Sequence, residues 1–261
     1  MIDLPSHALI GVIHLPALPG SPGHLLPVEE LLKRALADAR ALESAGFDAA
    51  IVENFGDAPF AAEHVASATT ASMSIIADHV RRSCRLIVGI NVLRNDADAA
   101  VGIAAAVGAS FVRVNVHTGL VATDQGMIQG RAAETLRYRK LLGARIAILA
   151  DVHVKHGKTL HESDIARAAK DTAYRGMADG LIVTGSATGE PVDTDDLRSV
   201  RESVPDRRVY VGSGSTIDSV GALMAESNGV IVGCGLKERG DQSQPIDAKL
   251  ARSFARAAGR S

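Results

Sequence analysis

The amino-acid sequence predicts an α/β protein folded as a TIM (β/α)8 barrel. Short runs rich in Val and Ile alternate with longer stretches rich in Ala, Leu and Arg that have a three-to-four-residue period. Eight such pairs fit within 261 residues. The runs start about 31 residues apart, the length of one strand followed by one helix. Because periodicity does not reveal closure, an open doubly wound sheet is the alternative. No composition shift divides the chain, so we expect one domain over residues 1–261.

The predicted strands, in order, are Leu9 to His14, Ala49 to Asn54, Leu86 to Val92, Phe111 to His117, Ile146 to His153, Gly180 to Thr184, Val209 to Gly212 and Gly229 to Gly233. The predicted helices are Val28 to Ala45, Ala61 to Ser83, Asp96 to Val107, Arg131 to Leu142, Ser163 to Arg175, Thr194 to Glu202, Ile217 to Glu226 and Asp247 to Ala258. Glycines such as Gly46 and Gly108 stand where predicted helices stop and the chain turns back.

Composition excludes several other classes of protein. The formal net charge is −2, so no long-range positive field would hold nucleic acid or an anionic membrane surface. We expect no membrane span, because no uncharged apolar run reaches about 18 to 20 residues. Cys84 and Cys234 suit a reducing compartment, so we expect a cytoplasmic location. We also expect a homo-oligomer.

Polar residues alternate with valines at the ends of the fourth and fifth predicted strands. Arg113, Asn115 and His117 lie on one side of the fourth strand. Asp151, His153 and Lys155 lie on one side of the fifth, in each case opposite to the valines. Period-two geometry points the polar residues into the barrel and the valines toward the helices. The C-terminal ends of barrel strands form the active-site face.

Polar residues also end the first three predicted strands, where Asn54 follows Glu53. The predicted catalytic set is therefore His14, Glu53, Asn91, Arg113, Asn115, Asp151 and His153. Asp151 or Glu53 would be the general acid or base, with His153 or His14 as the proton-transfer partner. Arg113 and Asn115 would orient hydroxyls and stabilise developing charge. A structural Arg113–Asp151 ion pair and satisfied rim histidines are the alternatives, and Lys155 and His156 lie either at the mouth or in solvent.

Glycine-rich loops follow the last three predicted strands. Glycine permits close approach of backbone N–H groups to an anion, and loops after strands seven and eight commonly hold phosphate in such barrels. The predicted phosphate-binding residues are Thr184, Gly185, Gly212, Ser213, Gly214, Ser215, Gly233 and Gly235. Tight turns with no ligand are the alternative, in which Ser215 or Thr216 caps the next helix. Cys234 is interpreted as structural.

No cofactor is predicted, because Gly212-Ser213-Gly214 lacks the third glycine and the early position of a dinucleotide fingerprint. His14, Glu53, Asp151 and His153 have suitable chemistry for a divalent ion, yet their spacing matches no local metal motif. A metal therefore stays an alternative, and no metal ligand is assigned.

Four strings resemble the BtpA/SgcQ family over essentially the whole chain: IGVIHLPALPGSP at 10–22, ADVHVKH at 150–156, LIVTG at 181–185 and VGSG at 211–214. The resemblance implies a TIM-like barrel of the ribulose-phosphate-binding type. Its functional implications differ: BtpA-like members are named for photosystem I biogenesis, whereas SgcQ-like members are associated with sugar metabolism and a proposed nucleosidase activity.

Two classes of function follow. The first is an enzyme that acts on a small phosphorylated sugar or nucleoside-like substrate by acid–base chemistry, for which isomerisation, aldol-type cleavage and glycosidic-bond cleavage all fit. The second is a non-catalytic assembly factor of a membrane complex, with Phe60 and the loop Leu15 to Pro27 as contacts, although that loop also suits a lid. With 3% aromatic residues and no Trp, obvious interface anchors are scarce, which favours the enzyme.

Overall fold

A computed structural model describes residues 3–185 and 190–260 of the chain. Its strands are β1 (Ala8–His14), β2 (Ala49–Glu53), β3 (Ile87–Asn91), β4 (Phe111–Val114), β5 (Leu120–Thr123), β6 (Gly126–Gln129), β7 (Ala147–Val152), β8 (Gly157–Thr159), β9 (Gly180–Val183), β10 (Arg208–Val211) and β11 (Gly229–Val232). Eight of them close into a parallel barrel in the order β1-β2-β3-β4-β7-β9-β10-β11. The predicted TIM barrel is confirmed, and the open sheet is wrong.

Helices follow the barrel strands and surround them. They are α1 (Val28–Ala45), α2 (Ser67–Ser83), α3 (Ala97–Val107), α4 (Ala132–Leu141), α5 (Ile165–Lys170), α6 (Thr194–Ser203), α7 (Val220–Ala225) and α8 (Ala248–Ala257). A π-helical turn, Asp171–Arg175, extends α5. Among the described residues, no helix has the length and apolar character needed to cross a bilayer.

The helix predicted from Ala61 starts six residues later, at Ser67. The preceding segment is held by bonds that a helix does not make, since Val65 N donates to Asp96 Oδ2 at 2.9 Å and Arg94 N donates to the Ala61 carbonyl at 3.1 Å. The start of the predicted helix is therefore wrong.

Side chains alternate along the barrel strands as the period of two requires. Val112 and Val114 pack in the large core between barrel and helices, whereas Phe111 and Tyr210 lie in a second, smaller core inside the barrel. Inside the barrel, a Cβ placed on Gly89 would lie 2.3 Å from the Phe111 ring, so glycine makes room for that ring. This alternation places the polar strand ends directly above the inner apolar core.

A three-stranded antiparallel sheet in the order β6-β5-β8 was not predicted. It forms because two predicted strands end early. The fourth stops at Val114, and Asn95 exchanges side-chain hydrogen bonds with Val116 N and O at 2.8 and 2.9 Å. The fifth stops at Val152, before His153 adopts a φ of 53°.

Candidate active site

His14, Glu53 and Asn91 lie side by side at the C-terminal end of the barrel. The three residues are partners in the registers of β1 with β2 and of β2 with β3. Asn91 Nδ2 donates to Glu53 Oε2 at 2.6 Å, and His14 Nε2 lies 3.6 Å from Glu53 Oε1. The amide therefore fixes one carboxylate oxygen and leaves the other facing the imidazole.

The His14 imidazole is neutral at physiological pH. Burial, and then the positive charges of Lys237, Lys155 and Arg113, lower its pKa from 6.5 to about 3. Its contact with Glu53 is therefore not an ion pair, and 3.6 Å is too long for a good hydrogen bond. The Phe55 ring lies 4.6 Å away, centroid to centroid.

Arg113 and Asp151 form a buried bidentate ion pair. Arg113 Nε and Nη2 donate to the two Asp151 carboxylate oxygens, each at 2.9 Å, and Asn115 Nδ2 donates to Oδ2 at 3.0 Å. Burial opposes the charge on Arg113, but Asp151 raises the guanidinium pKa above its ordinary value. The structural pair that the sequence allowed is present, and Asp151 acts as its anchor.

A cavity of about 370 Å³ opens beside these residues. We call it the glycine cavity, because Gly212–Thr216 and Gly233–Gly235 form one wall. The charged side chains that line it, among the described residues, are Glu53, Arg113, Lys155, Lys237 and Arg239. Four cations thus face one carboxylate, and the local charge is positive although the whole chain carries −2.

A second cavity of about 470 Å³ shares Glu53, Phe55, Arg113 and Lys155 with the first. We call it the hairpin cavity, because Asp124 and Gln125, at the tip of the β5–β6 hairpin, line it. Its remaining lining residues are Phe60, Leu93, Arg94, Asn115 and His156. The two cavities therefore meet at Glu53, Arg113 and Lys155.

Two serine hydroxyls in the glycine wall have no hydrogen-bond partner. The Oγ atoms of Ser213 and Ser215 are buried and unpaired within the described residues. Neither Ser215 nor Thr216 is the N-cap of α7, which is Ser219; Thr216 Oγ1 accepts a bond from Ser219 N at 3.2 Å in the preceding turn. Cys234 Sγ accepts from Gln242 Nε2 at 2.8 Å, and burial raises the pKa of its thiol. The wall thus offers two free hydroxyls, and the thiol is held protonated.

We call the glycine cavity and the hairpin cavity together the mouth cavities. The structure brings four of the seven predicted catalytic residues to them, namely His14, Glu53, Arg113 and Asn115. Asn91 and Asp151 line neither and instead hold Glu53 and Arg113. His153 was placed wrongly, because its positive φ breaks the strand parity and its Nε2 bonds to the Glu162 carbonyl at 2.8 Å.

Other predicted positions also differ. His117 was expected inside the barrel, but its Nε2 bonds to the Gly176 carbonyl at 2.8 Å. Six of the eight predicted phosphate-binding residues line the glycine cavity, namely Gly212, Ser213, Gly214, Ser215, Gly233 and Gly235. Thr184 and Gly185 do not, and the rest of their loop, residues 186–189, lies outside the described residues.

The alternative metal ligands do not converge. Asp151 is bound to Arg113, and His153 is turned to Glu162, so these two cannot join His14 and Glu53. Across residues 3–185 and 190–260, no group of three or more His, Cys, Asp and Glu side chains has the spacing to hold a metal ion.

Sequence reasoning missed Arg94, Lys237 and Arg239 and left Lys155 undecided. Asn54 was expected at the rim of the barrel. It instead stabilises the loop after β2, where its Nδ2 donates to Asp57 Oδ2 at 2.9 Å. A signal for the cations was present, since Lys237 and Arg239 closely follow Gly235 and Arg94 follows β3. Charged residues just beyond a strand end therefore indicated the lining of the cavities, even where the alternation of side chains along the strand no longer applied.

The fold and the site define a (β/α)8 barrel with a cationic, glycine-walled cavity at the C-terminal ends of its strands. The chain belongs to the BtpA family, whose model matches residues 5–260.

Relatives agree with this assignment, and solved structures agree with the fold. The chain is 45% identical to photosystem I biogenesis protein BtpA of Synechocystis sp. over 94% of its own length and 86% of the relative. It is 43% identical to an uncharacterized protein of Pyrococcus furiosus over 98% and 96% of the two chains. N-(5'-phosphoribosyl)anthranilate isomerase from Pyrococcus furiosus superposes with a TM-score of 0.57 at 14% identity, covering 97% of this chain and 99% of that one. This last similarity shows the fold alone.

Proposed function

We propose that the protein is an enzyme that binds a small phosphorylated sugar or nucleoside-like substrate and acts on it by acid–base chemistry. The excess of positive charge lining the glycine cavity carries this proposal. Cavities of about 300 to 1,000 Å³ hold small-molecule ligands, and both mouth cavities fall within that range.

The phosphate would bind in the glycine cavity. Backbone N–H groups of Ser213–Ser215 and Gly233–Gly235 would donate to it, whereas Gly212 N already donates to the Val183 carbonyl at 2.8 Å. The unpaired Ser213 and Ser215 hydroxyls would donate to its oxygens, and Arg239, exposed at the cavity edge, would neutralise its charge. The rest of the ligand would then extend past Glu53 and Arg113 into the hairpin cavity.

Glu53 is the acid–base group that this arrangement favours. It lines both cavities, and Asn91 fixes one of its oxygens. His14 is neutral and offers an uncharged imidazole beside it. Arg113, held by Asp151, would stabilise negative charge on a substrate oxygen. Isomerisation, aldol-type cleavage and glycosidic-bond cleavage all use these roles.

Phosphate binding is tested by thermal shift with inorganic phosphate and ribose 5-phosphate. We expect millimolar ligand to raise the Tm of the wild type. Arg239→Gln should weaken binding about tenfold, the loss of one charge-assisted bond. Arg252→Gln, which removes an exposed charge on α8, should leave binding unchanged. A wild type that phosphate does not stabilise would contradict the proposal.

Catalysis is tested by following a panel of phosphorylated sugars and nucleotides by NMR. For any compound converted, Glu53→Gln should lower kcat by about 10²- to 10⁴-fold while phosphate binding persists. Glu134→Gln, on α4 outside both mouth cavities, is the matched control and should retain full activity. Unchanged kcat in Glu53→Gln would remove this residue from the proposal.

A second candidate is assembly of a membrane protein complex, which the name of the Synechocystis relative, photosystem I biogenesis protein BtpA, favours. Phe60, a contact for such a partner in that hypothesis, lines the hairpin cavity. If assembly is the function, the wild-type chain and Glu53→Gln should restore photosystem I equally in a Synechocystis strain lacking its own BtpA. Restoration by the wild type and not by Glu53→Gln would instead support the enzymatic function.

A further inference from the structure

The Lys155 side chain occupies the junction of the two cavities. It is half-buried and lines both of them. Its backbone is held in place, because Arg94 Nη2 donates to the Lys155 carbonyl at 2.6 Å. Among the described residues, its ammonium has no hydrogen bond and no ion pair within 4.0 Å.

The buried Lys237 makes a useful comparison. Lys237 Nζ also belongs to the glycine cavity, but it donates to the Gln244 carbonyl at 2.5 Å and is committed to that loop. Lys155 has no such partner. A lysine nitrogen that donates no hydrogen bond and faces a ligand cavity is free to approach a ligand, and in its deprotonated form it can attack carbon.

The surroundings of Lys155 favour the uncharged amine. Burial, and then the charge of Arg113 on β4, lower the pKa of Lys155, against the opposing effects of Glu53 on β2, Asp151 on β7 and Cys234 after β11. Each unit by which the pKa falls raises the fraction of free amine about tenfold at neutral pH.

We propose that Lys155 forms an imine with the carbonyl carbon of a phosphorylated aldose or ketose whose phosphate lies in the glycine cavity. This inference rests on the function proposed above and narrows its substrate class to carbonyl compounds. Nζ attacks the carbonyl carbon, the oxygen takes up a proton, and the nitrogen loses one to give a carbinolamine. A second proton then releases that oxygen as water, and the nitrogen loses its remaining proton as the neutral C=N bond forms.

Glu53 is placed to move these protons. It lines both cavities together with Lys155, and its Oε1 is not used by Asn91. In carbinolamine formation and again in loss of water, it would accept a proton from the nitrogen and pass it to the oxygen, so the net reaction is amine plus carbonyl to imine plus water.

The imine is trapped by reduction. The protein is incubated with glyceraldehyde 3-phosphate, dihydroxyacetone phosphate or ribose 5-phosphate in the presence of cyanoborohydride, and adducts are located by peptide mass spectrometry. We expect at least one of these probes to label Lys155 at least about tenfold faster than the exposed Lys158, in line with the lowered pKa. Inorganic phosphate should compete, and glyceraldehyde, which lacks the phosphate, should label Lys155 more slowly.

Two variants complete the test. Lys155→Arg should lose the adduct and keep its Tm, whereas Lys158→Arg should label like the wild type. If Lys155→Arg fails to fold, Lys155→Met replaces it. Labelling spread evenly over exposed lysines, or no adduct from any of the three probes, overturns the imine. Phosphate stabilisation without an adduct overturns only the imine, whereas the loss of both overturns the proposed function as well.

Discussion

Asp151 illustrates how one residue supports another at the mouth of the barrel. Its carboxylate accepts hydrogen bonds from Arg113 Nε and Nη2 and from the Asn115 amide. The Arg113–Asp151 ion pair is almost completely buried. A guanidinium in that position needs a partner, because an isolated buried charge is costly. Asp151 therefore positions Arg113 and lines neither the glycine cavity nor the hairpin cavity.

Asp151→Asn should lower the free energy of unfolding by about 3–5 kcal/mol, because the Arg113 charge stays buried without its counter-ion. Urea unfolding at pH 7.5 measures this loss. Asp78→Asn, which removes an exposed ion pair with Arg82 on α2, is the control and should cause little change. A fully stable Asp151→Asn protein would mean that Arg113 does not depend on this partner.

At single positions, the alternation of side chains along a strand predicted which residues lie at the mouth cavities, up to about the end of each strand. Arg113 and Asn115 reach the mouth, as the alternation with valine indicated. His153 does not, because its backbone turns to φ 53° directly after β7 and reverses the direction of the side chain. A change to positive φ at a single residue does not alter the pattern of apolar and polar residues, so the sequence pattern did not predict it.

At the scale of elements, glycine decides how the barrel interior is filled. Gly89 on β3 lies against the Phe111 ring on the neighbouring β4, where any Cβ would fall 2.3 Å from that ring. The prediction of strands from Val and Ile content found both strands but gave no indication that one of them accommodates the aromatic ring of the other.

Gly89→Ala should destabilise the protein by about 1–3 kcal/mol, the usual cost of overpacking a filled core. Gly23→Ala is the matched control, since its Cβ would meet only Ala17 at 3.4 Å. Thermal unfolding of the two variants separates the effects. Equal Tm values for both would show that the Phe111 ring moves aside freely.

Element boundaries were the least predictable part of the fold. The repeat of strand and helix identified all eight barrel units, because burial imposes that pattern throughout. The sheet β6-β5-β8 escaped because its strands are three or four residues long and half exposed, so they carry almost no hydrophobic signal. β5 pairs with the adjacent β6 in a hairpin, but its pairing with β8 joins segments that are distant in the chain.

For the whole molecule, the buried histidines link stability to pH. The pKa of His14 falls to about 3 in the folded chain, and that of His117 is also lowered, mainly by burial. The unfolded chain therefore binds more protons between pH 6.5 and 3. The stability that these two neutral histidines contribute is fully present above about pH 6.5 and declines as the pH falls toward 3.

Between pH 7.5 and 5.0, His14 should account for a loss of about 2 kcal/mol in the free energy of unfolding. His14→Gln should remove most of that difference, and the exposed His79→Gln should not. Urea titrations of the three proteins at both pH values test this expectation. An identical pH dependence in wild type and His14→Gln would place the acid sensitivity elsewhere.

The sheet β6-β5-β8 joins the loop after β4 to the loop after β7, two neighbours in the barrel wall. Its tip, Asp124 and Gln125, touches the hairpin cavity but contributes nothing to the glycine cavity. Under the proposed function, substitutions in this hairpin would change the cavity for the rest of the substrate and leave the proposed phosphate site as it is, so we expect family members with divergent hairpins to differ in substrate.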